Sequence, residues 1–111
     1  MKLTFEKTPR KLLEIERPSD GEKITLEIRN ITVAGARDNE KNLKEIELQY
    51  ETSEIDSVEY MFATMKLLVK DFDENFFEDF EVNHMMKVVE AVRNLQEGKS
   101  ENEKKSLSET R

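Results

Sequence analysis

The chain has no cysteine and no tryptophan, one histidine, two prolines and three glycines among its 111 residues. Without thiols there is no disulfide staple and no thiolate chemistry, which suits a reducing compartment, and the cytoplasm is the expected location. A single imidazole, His84, has neither a sulfur ligand nor a second histidine to converge with it on zinc, so it reads as an ordinary helix residue. The glycines stand far apart at 21, 35 and 98, and the G-x-S-x-G, Walker A and G-x-G-x-x-G patterns are missing, so a glycine loop that cradles phosphate is excluded. No run approaches the roughly 20 apolar residues of a bilayer span. Met1 to Glu6 lacks the apolar core of a signal peptide. Neither a membrane partner nor secretion by that route is expected. The sequence offers no catalytic residue set, no cofactor motif and no metal ligand set, so an enzyme is the least favoured class.

Positive charge is the scarcer sign, with 18 Lys and Arg against 25 Asp and Glu and a net charge of −7. Binding to nucleic acid rests on basic neutralisation of phosphates, so no nucleic-acid partner is expected. The composition, 39% charged and 36% hydrophobic, allows a modest core in one domain.

What is present divides the chain by hydrophobic period. Leu13 and Ile15 alternate with Glu14 and Glu16, Pro18-Ser19-Asp20-Gly21 supplies turn chemistry, and Ile24, Leu26 and Ile28 alternate with Thr25, Glu27 and Arg29. This is a β-hairpin with one apolar and one charged face. Ile31 and Val33 fall on the opposite parity, which implies a bulge near Arg29-Asn30 or a second strand ending at Gly35. Between Asp38 and Glu51 the apolar positions fit either period, and the helix formers of Glu40 to Glu47 favour helix for the first part.

The helical half is clearer. Ile55, Val58, Phe62, Met65, Val69 and Phe72 follow at spacings of three and four after a cap-like Ser53-x-x-Asp56, giving a helix from Ile55 to Phe72. A second helix runs from about Val82 to Glu97, with Met85, Val88, Val89, Val92 and Leu95 on one stripe and Gly98 placed to end it. Asp71 to Phe80 is read as a short helical connector. The expected architecture is α+β: an N-terminal hairpin packed on a helical layer of two long helices joined by a Phe-rich connector, over residues 1–98. Residues 99–111 hold one apolar side chain, Leu107, and are expected to form a flexible polar tail.

The connector also resembles a calcium loop, since Asp71, Asp73, Asn75 and Asp79 occupy positions one, three, five and nine of an EF-hand pattern. The pattern fails where it matters. Phe76 stands where a glycine allows the sharp turn, and Val82 where a bidentate glutamate closes the shell. The acids then read as the solvated face of a segment whose other face carries phenylalanine.

Five of the six Phe and four of the five Met lie between Met61 and Leu95. The seam between the two long helices accounts for Phe62, Met65, Val69, Met85, Val89 and Val92. Met61, Leu68, Phe76, Phe77, Phe80 and Met86 lie off that stripe or crowd the connector, and they are the expected partner-binding residues. Methionine and phenylalanine lining a groove form an adaptable apolar surface for amphipathic helices of varied sequence. The surrounding acids favour basic or mixed-charge clients.

A short acidic chain with an N-terminal strand pair, helices carrying Glu59-Tyr60-Met61-Phe62 and Phe76-Phe77-Glu78-Asp79-Phe80, and a polar tail resembles the tail assembly chaperones of long-tailed bacteriophages, especially those of Gram-positive hosts. The resemblance implies a non-enzymatic protein in the host cytoplasm. It would coat the long, helical, aggregation-prone tape measure protein until tail tube subunits replace it. It also implies self-association, and family members can carry a frameshift-extended C-terminus. Two other classes fit the composition. One is a small structural subunit of a virion or secretion apparatus, joined through sheet edges. The other is an acidic inhibitor or regulator of a basic protein.

Overall fold

In the computed structural model, which describes residues 1–98, the alternation of Leu13 and Ile15 becomes β1 (Lys11–Glu16), and that of Ile24, Leu26 and Ile28 becomes β2 (Lys23–Ile28). The two strands pair antiparallel, with Lys11 opposite Ile28 and Glu16 opposite Lys23. The turn closes through Arg17 N–H to the Glu22 carbonyl at 2.7 Å and Gly21 N–H to the Arg17 carbonyl at 2.8 Å. Gly21 sits at φ 77°, a conformation a residue without Cβ adopts at no steric cost. Asp20 accepts from Glu22 N–H and from the Arg17 guanidinium, which pulls its carboxyl down to about 2. The free side chains of the turn are thereby tied to each other.

Four helices follow among the described residues: α1 (Val33–Glu51), α2 (Ser57–Leu68), α3 (Glu74–Phe77) and α4 (Val82–Gln96). The architecture is α+β. It differs from expectation in three places. First, the chain does not continue as strand through Ile31 and Val33. The Thr32 hydroxyl accepts from Gly35 N–H at 3.0 Å and caps α1, so helix begins where a bulge or second strand was expected. The helical layer therefore has a third long member, and α1 carries the helix expected only for part of 38–51 on to Glu51.

Second, α2 starts at Ser57 and stops at Leu68, short of the expected span from Ile55 to Phe72. Its cap is Asp56, whose carboxylate accepts from Glu59 N–H at 2.8 Å, while Ser53 lies in the left-handed region at φ 62°. At the other end Val69 turns extended and forms a bridge with Ile28. Arg29 N–H bonds the Leu68 carbonyl and Lys70 N–H the Glu27 carbonyl, so the sheet captures the chain as it leaves the helix. A β-branched residue loses little by this exchange. These bonds cover the outer edge of β2 at its end, from Glu27 to Arg29. No strand lies against the outer edge of β1 among the described residues.

Third, α3 is a single turn, capped by Asp73 accepting from Asn75 N–H at 3.0 Å. Of the residues that imitated a calcium loop, Asp73 serves as this cap, and the neighbouring Glu74 pairs with Lys66. Helix α4 agrees with its expected span to within a residue, and Gly98 at φ 82° follows it.

The core lies between the hairpin, α2, α3 and α4. Leu26 and Ile28 meet Met61, Met65, Leu68, Val69, Phe77, Met85, Val88, Val89 and Val92, with Leu13, Ile15, Phe62, Phe72, Phe76, Phe80 and Leu95 packed around them. Each fully buried side chain of this size contributes about 1.5–3 kcal/mol. The buried hydroxyl of Thr64 donates to the Tyr60 carbonyl at 2.9 Å, so it carries no desolvation penalty. Residues 1–10 precede β1 without regular structure and are exposed. The expected polar tail at 99–111 lies outside the described residues.

Candidate functional site

The six residues expected to bind a partner are divided by the fold. Met61, Leu68 and Phe77 belong to the core, with Leu68 fully covered and Phe77 at 2% exposure. Phe76 and Phe80 are half-buried. Met86 alone projects into solvent, at 56% exposure. The physical reason is the connector's shape. One turn of helix after the Asp73 cap swings Phe77 inward, where its ring lies 5.3 Å from Phe72, 5.1 Å from Phe76 and 4.9 Å from Phe80. Phe62 joins through Phe72 at 5.9 Å. Rings at these separations gain edge and offset contacts beyond their buried area. The phenylalanines close one end of the core on themselves. Arg17 finishes the cluster from outside, its guanidinium 4.8 Å above the Phe76 ring.

Met86 stands on α4 beside a groove. The groove, of about 790 Å³, lies between α2 and α4, bordered by Ser57, Asn83, Arg93 and Glu97. Its floor is apolar, formed by the outer edges of Met61 and Val89, and Met86 stands at its wall. Tyr50, from the last turn of α1, stacks on Tyr60 of α2 with centroids 4.9 Å apart and borders the same groove. Arg93 is held there by Glu47 at 3.7 Å and by a 3.5 Å bond to the Tyr60 hydroxyl. The rim alternates signs, with Lys87 and Arg93 among Glu90 and Glu97.

Position on α4 explains the arrangement. Met85, Val88, Val89 and Val92 turn inward, while Asn83, Met86, Lys87, Glu90, Asn94 and Glu97 follow at three- and four-residue steps and share the neighbouring face. Tyr50, Tyr60 and Arg93 were not among the expected residues. Tyr60 carried a signal, since it sits one position from Met61 in a helix, but its pairing with Tyr50 depends on how α1 returns to α2. His84 is exposed and outside the groove. Among the described residues no group of three or more His, Asp or Glu side chains is placed to hold a metal ion, and no helix is long and apolar enough to cross a membrane.

No family model matches the chain, and no curated protein or solved structure is significantly similar to it.

Proposed function

We propose that the protein is a non-enzymatic holding chaperone whose α2–α4 groove takes an amphipathic helical segment of a long client. In the phage tail assembly chaperones that the chain resembles, that client is a tape measure protein. The observation that carries the reading is Met86, a flexible apolar side chain exposed at the wall of a groove with an apolar floor and a mixed-charge rim. From Asn83 to Glu97 the groove follows α4 for roughly 21 Å at 1.5 Å per residue, the length of about four helical turns. Methionine adapts to varied client side chains at little cost. The stacked tyrosines border the groove.

Affinity from such a surface scales with buried apolar area at about 25 cal/mol per Å², less the cost of ordering the client. One contact is therefore weak and reversible. Many copies along one long client supply avidity while leaving each copy displaceable. The test is co-expression with a tape measure protein, scored by the client's presence in the supernatant. Met86→Asp is expected to abolish client retention with the thermal midpoint nearly unchanged, because the side chain is outside the core. Retention that survives Met86→Asp sinks the groove as the holding surface. Retention that collapses on adding salt, in the unaltered protein, assigns the client to the acidic surface instead.

A further inference from the structure

The outer edge of β1 and the exposed segment before it are complementary, and neither has a role in the reading above. The ladder starts at Arg17 N–H to Glu22 O. Its alternation turns the main-chain groups of Lys11, Leu13 and Ile15 toward β2 and those of Leu12, Glu14 and Glu16 outward. An unpaired edge is a template for another strand, and a two-stranded ribbon is marginal by itself. Leu12 on this strand is 49% exposed, and Leu13 and Ile15 are only half-covered.

The segment Lys2 to Thr8 has the pattern of a strand. Leu3 and Phe5 fall on one side, Lys2, Thr4, Glu6 and Thr8 on the other, and both apolar side chains stand in solvent. Thr8 precedes Pro9, which biases it toward extended backbone. The segment does not fold back onto its own sheet. Arg10 bonds Glu27 through Nε at 3.2 Å and Nη2 at 2.5 Å, and Glu27 lies opposite Leu12, so the chain enters β1 along the direction of the strand.

We propose that two copies of the chain exchange this segment, each laying Lys2–Thr8 as an antiparallel strand on the outer edge of the other's β1. A two-fold axis at Thr8 satisfies every level of the pattern. Thr8 faces Thr8 of the second copy, Glu6 faces Arg10, Thr4 faces Leu12, Leu3 faces Leu13 and Lys2 faces Glu14. No like charges are opposed, and each opposite-charge pair occurs twice by symmetry. Lys2, Thr4, Glu6 and Thr8 take the hydrogen-bonded positions. Pro9 falls at a non-bonded position, where its missing N–H costs nothing. Leu3 covers the half-exposed Leu13.

Sedimentation of the full chain tests the exchange, with a dimer expected. Thr4→Pro removes a ladder N–H from a residue outside the folded core and is expected to weaken dimerisation at least about fivefold, through two lost ladder bonds per dimer. The chain has no native cysteine, so the double variant Leu3→Cys/Leu13→Cys carries the only thiols. These two positions form a non-bonded pair with a Cα separation near 4.5 Å, within disulfide reach. Mild oxidation is expected to yield a covalent dimer. A monomer at every concentration, a dimer indifferent to Thr4→Pro, or a disulfide closed within one chain overturns the proposal. The result is independent of client retention, so either idea can fail alone.

Discussion

Helices α1 and α4 have comparable lengths, 19 and 15 residues, yet α4 buries Met85, Val88, Val89 and Val92 and α1 buries nothing. Both begin without an acidic first turn, so charge at the N-terminus does not separate them. Apolar spacing does. In α4 the large side chains recur at three- and four-residue steps over the whole helix. In α1, apart from the exposed Val33 at its start, they are confined to the second half, where Leu43, Ile46 and Tyr50 follow each other, while the first half offers Ala34, Gly35 and Ala36. The outer face of α1, with Arg37, Glu40, Lys41, Lys44 and Glu45, is solvated. Helix α1 therefore lies beside α2 without burying a side chain fully, tied at its last turns by the Tyr50–Tyr60 stack and the Glu47–Arg93 pair. A helix held this way opens locally at a lower cost than one that lines the core.

The comparison can be broken by experiment, most sharply at the core. Phe77→Ala removes a ring contacted by three others and is expected to lower unfolding free energy by about 3–5 kcal/mol, read by chemical denaturation. A loss under about 1 kcal/mol would show that the phenylalanine cluster is not the closed end of the core. Asp56→Ala deletes the cap of α2 and is expected to cost about 1 kcal/mol. Ile46→Ala in α1 is expected to cost less, about 0.5–1 kcal/mol, because its side chain is only half-covered. Hydrogen exchange sharpens the same contrast: amides of Val88 to Val92 should exchange only by global unfolding, and those of Arg37 to Lys44 by local opening. Equal protection in the two helices would erase the distinction.

The smallest effect concerns pH. Arg10 and Lys70 hold the Glu27 carboxyl at about 2, against an ordinary value of 4.5. A depressed carboxyl contributes stability that is present above its ordinary value and disappears as pH falls toward the depressed one. The thermal midpoint should decline between about pH 4.5 and about pH 2, and Glu27→Gln should flatten part of that decline. An unchanged slope in the variant would mean that this exposed cluster contributes nothing measurable.

Periodicity alone located the hairpin and α4, because alternation over Leu13 to Ile28 and the 3–4 stripe of Met85 to Val92 leave one face each to bury. The expectation of a client-holding groove rests on a surplus of apolar side chains off those stripes, and half of that surplus, Met61, Leu68 and Phe77, is core. Leu68 sits where α2 gives way to the sheet bridge of Val69, and Phe77 where a one-turn helix reverses the chain; neither event has a period. Thr32 shows the reverse case. Strand parity through Ile31 and Val33 favoured a strand, yet the Thr32 hydroxyl caps α1 and helix begins there.

The order of side chains along the chain decided which segments are amphipathic, since neighbours three, four or two residues apart settle that locally. Which apolar residue faces the interior and which faces water was decided by contacts between segments distant in sequence. Phe77 is enclosed by the rings of Phe72, Phe76 and Phe80, and Met86 is left bare because α2 and α1 meet beside it without closing over it. A side chain carries its hydrophobicity in the sequence, but the area it can hide is fixed only when the elements around it have packed.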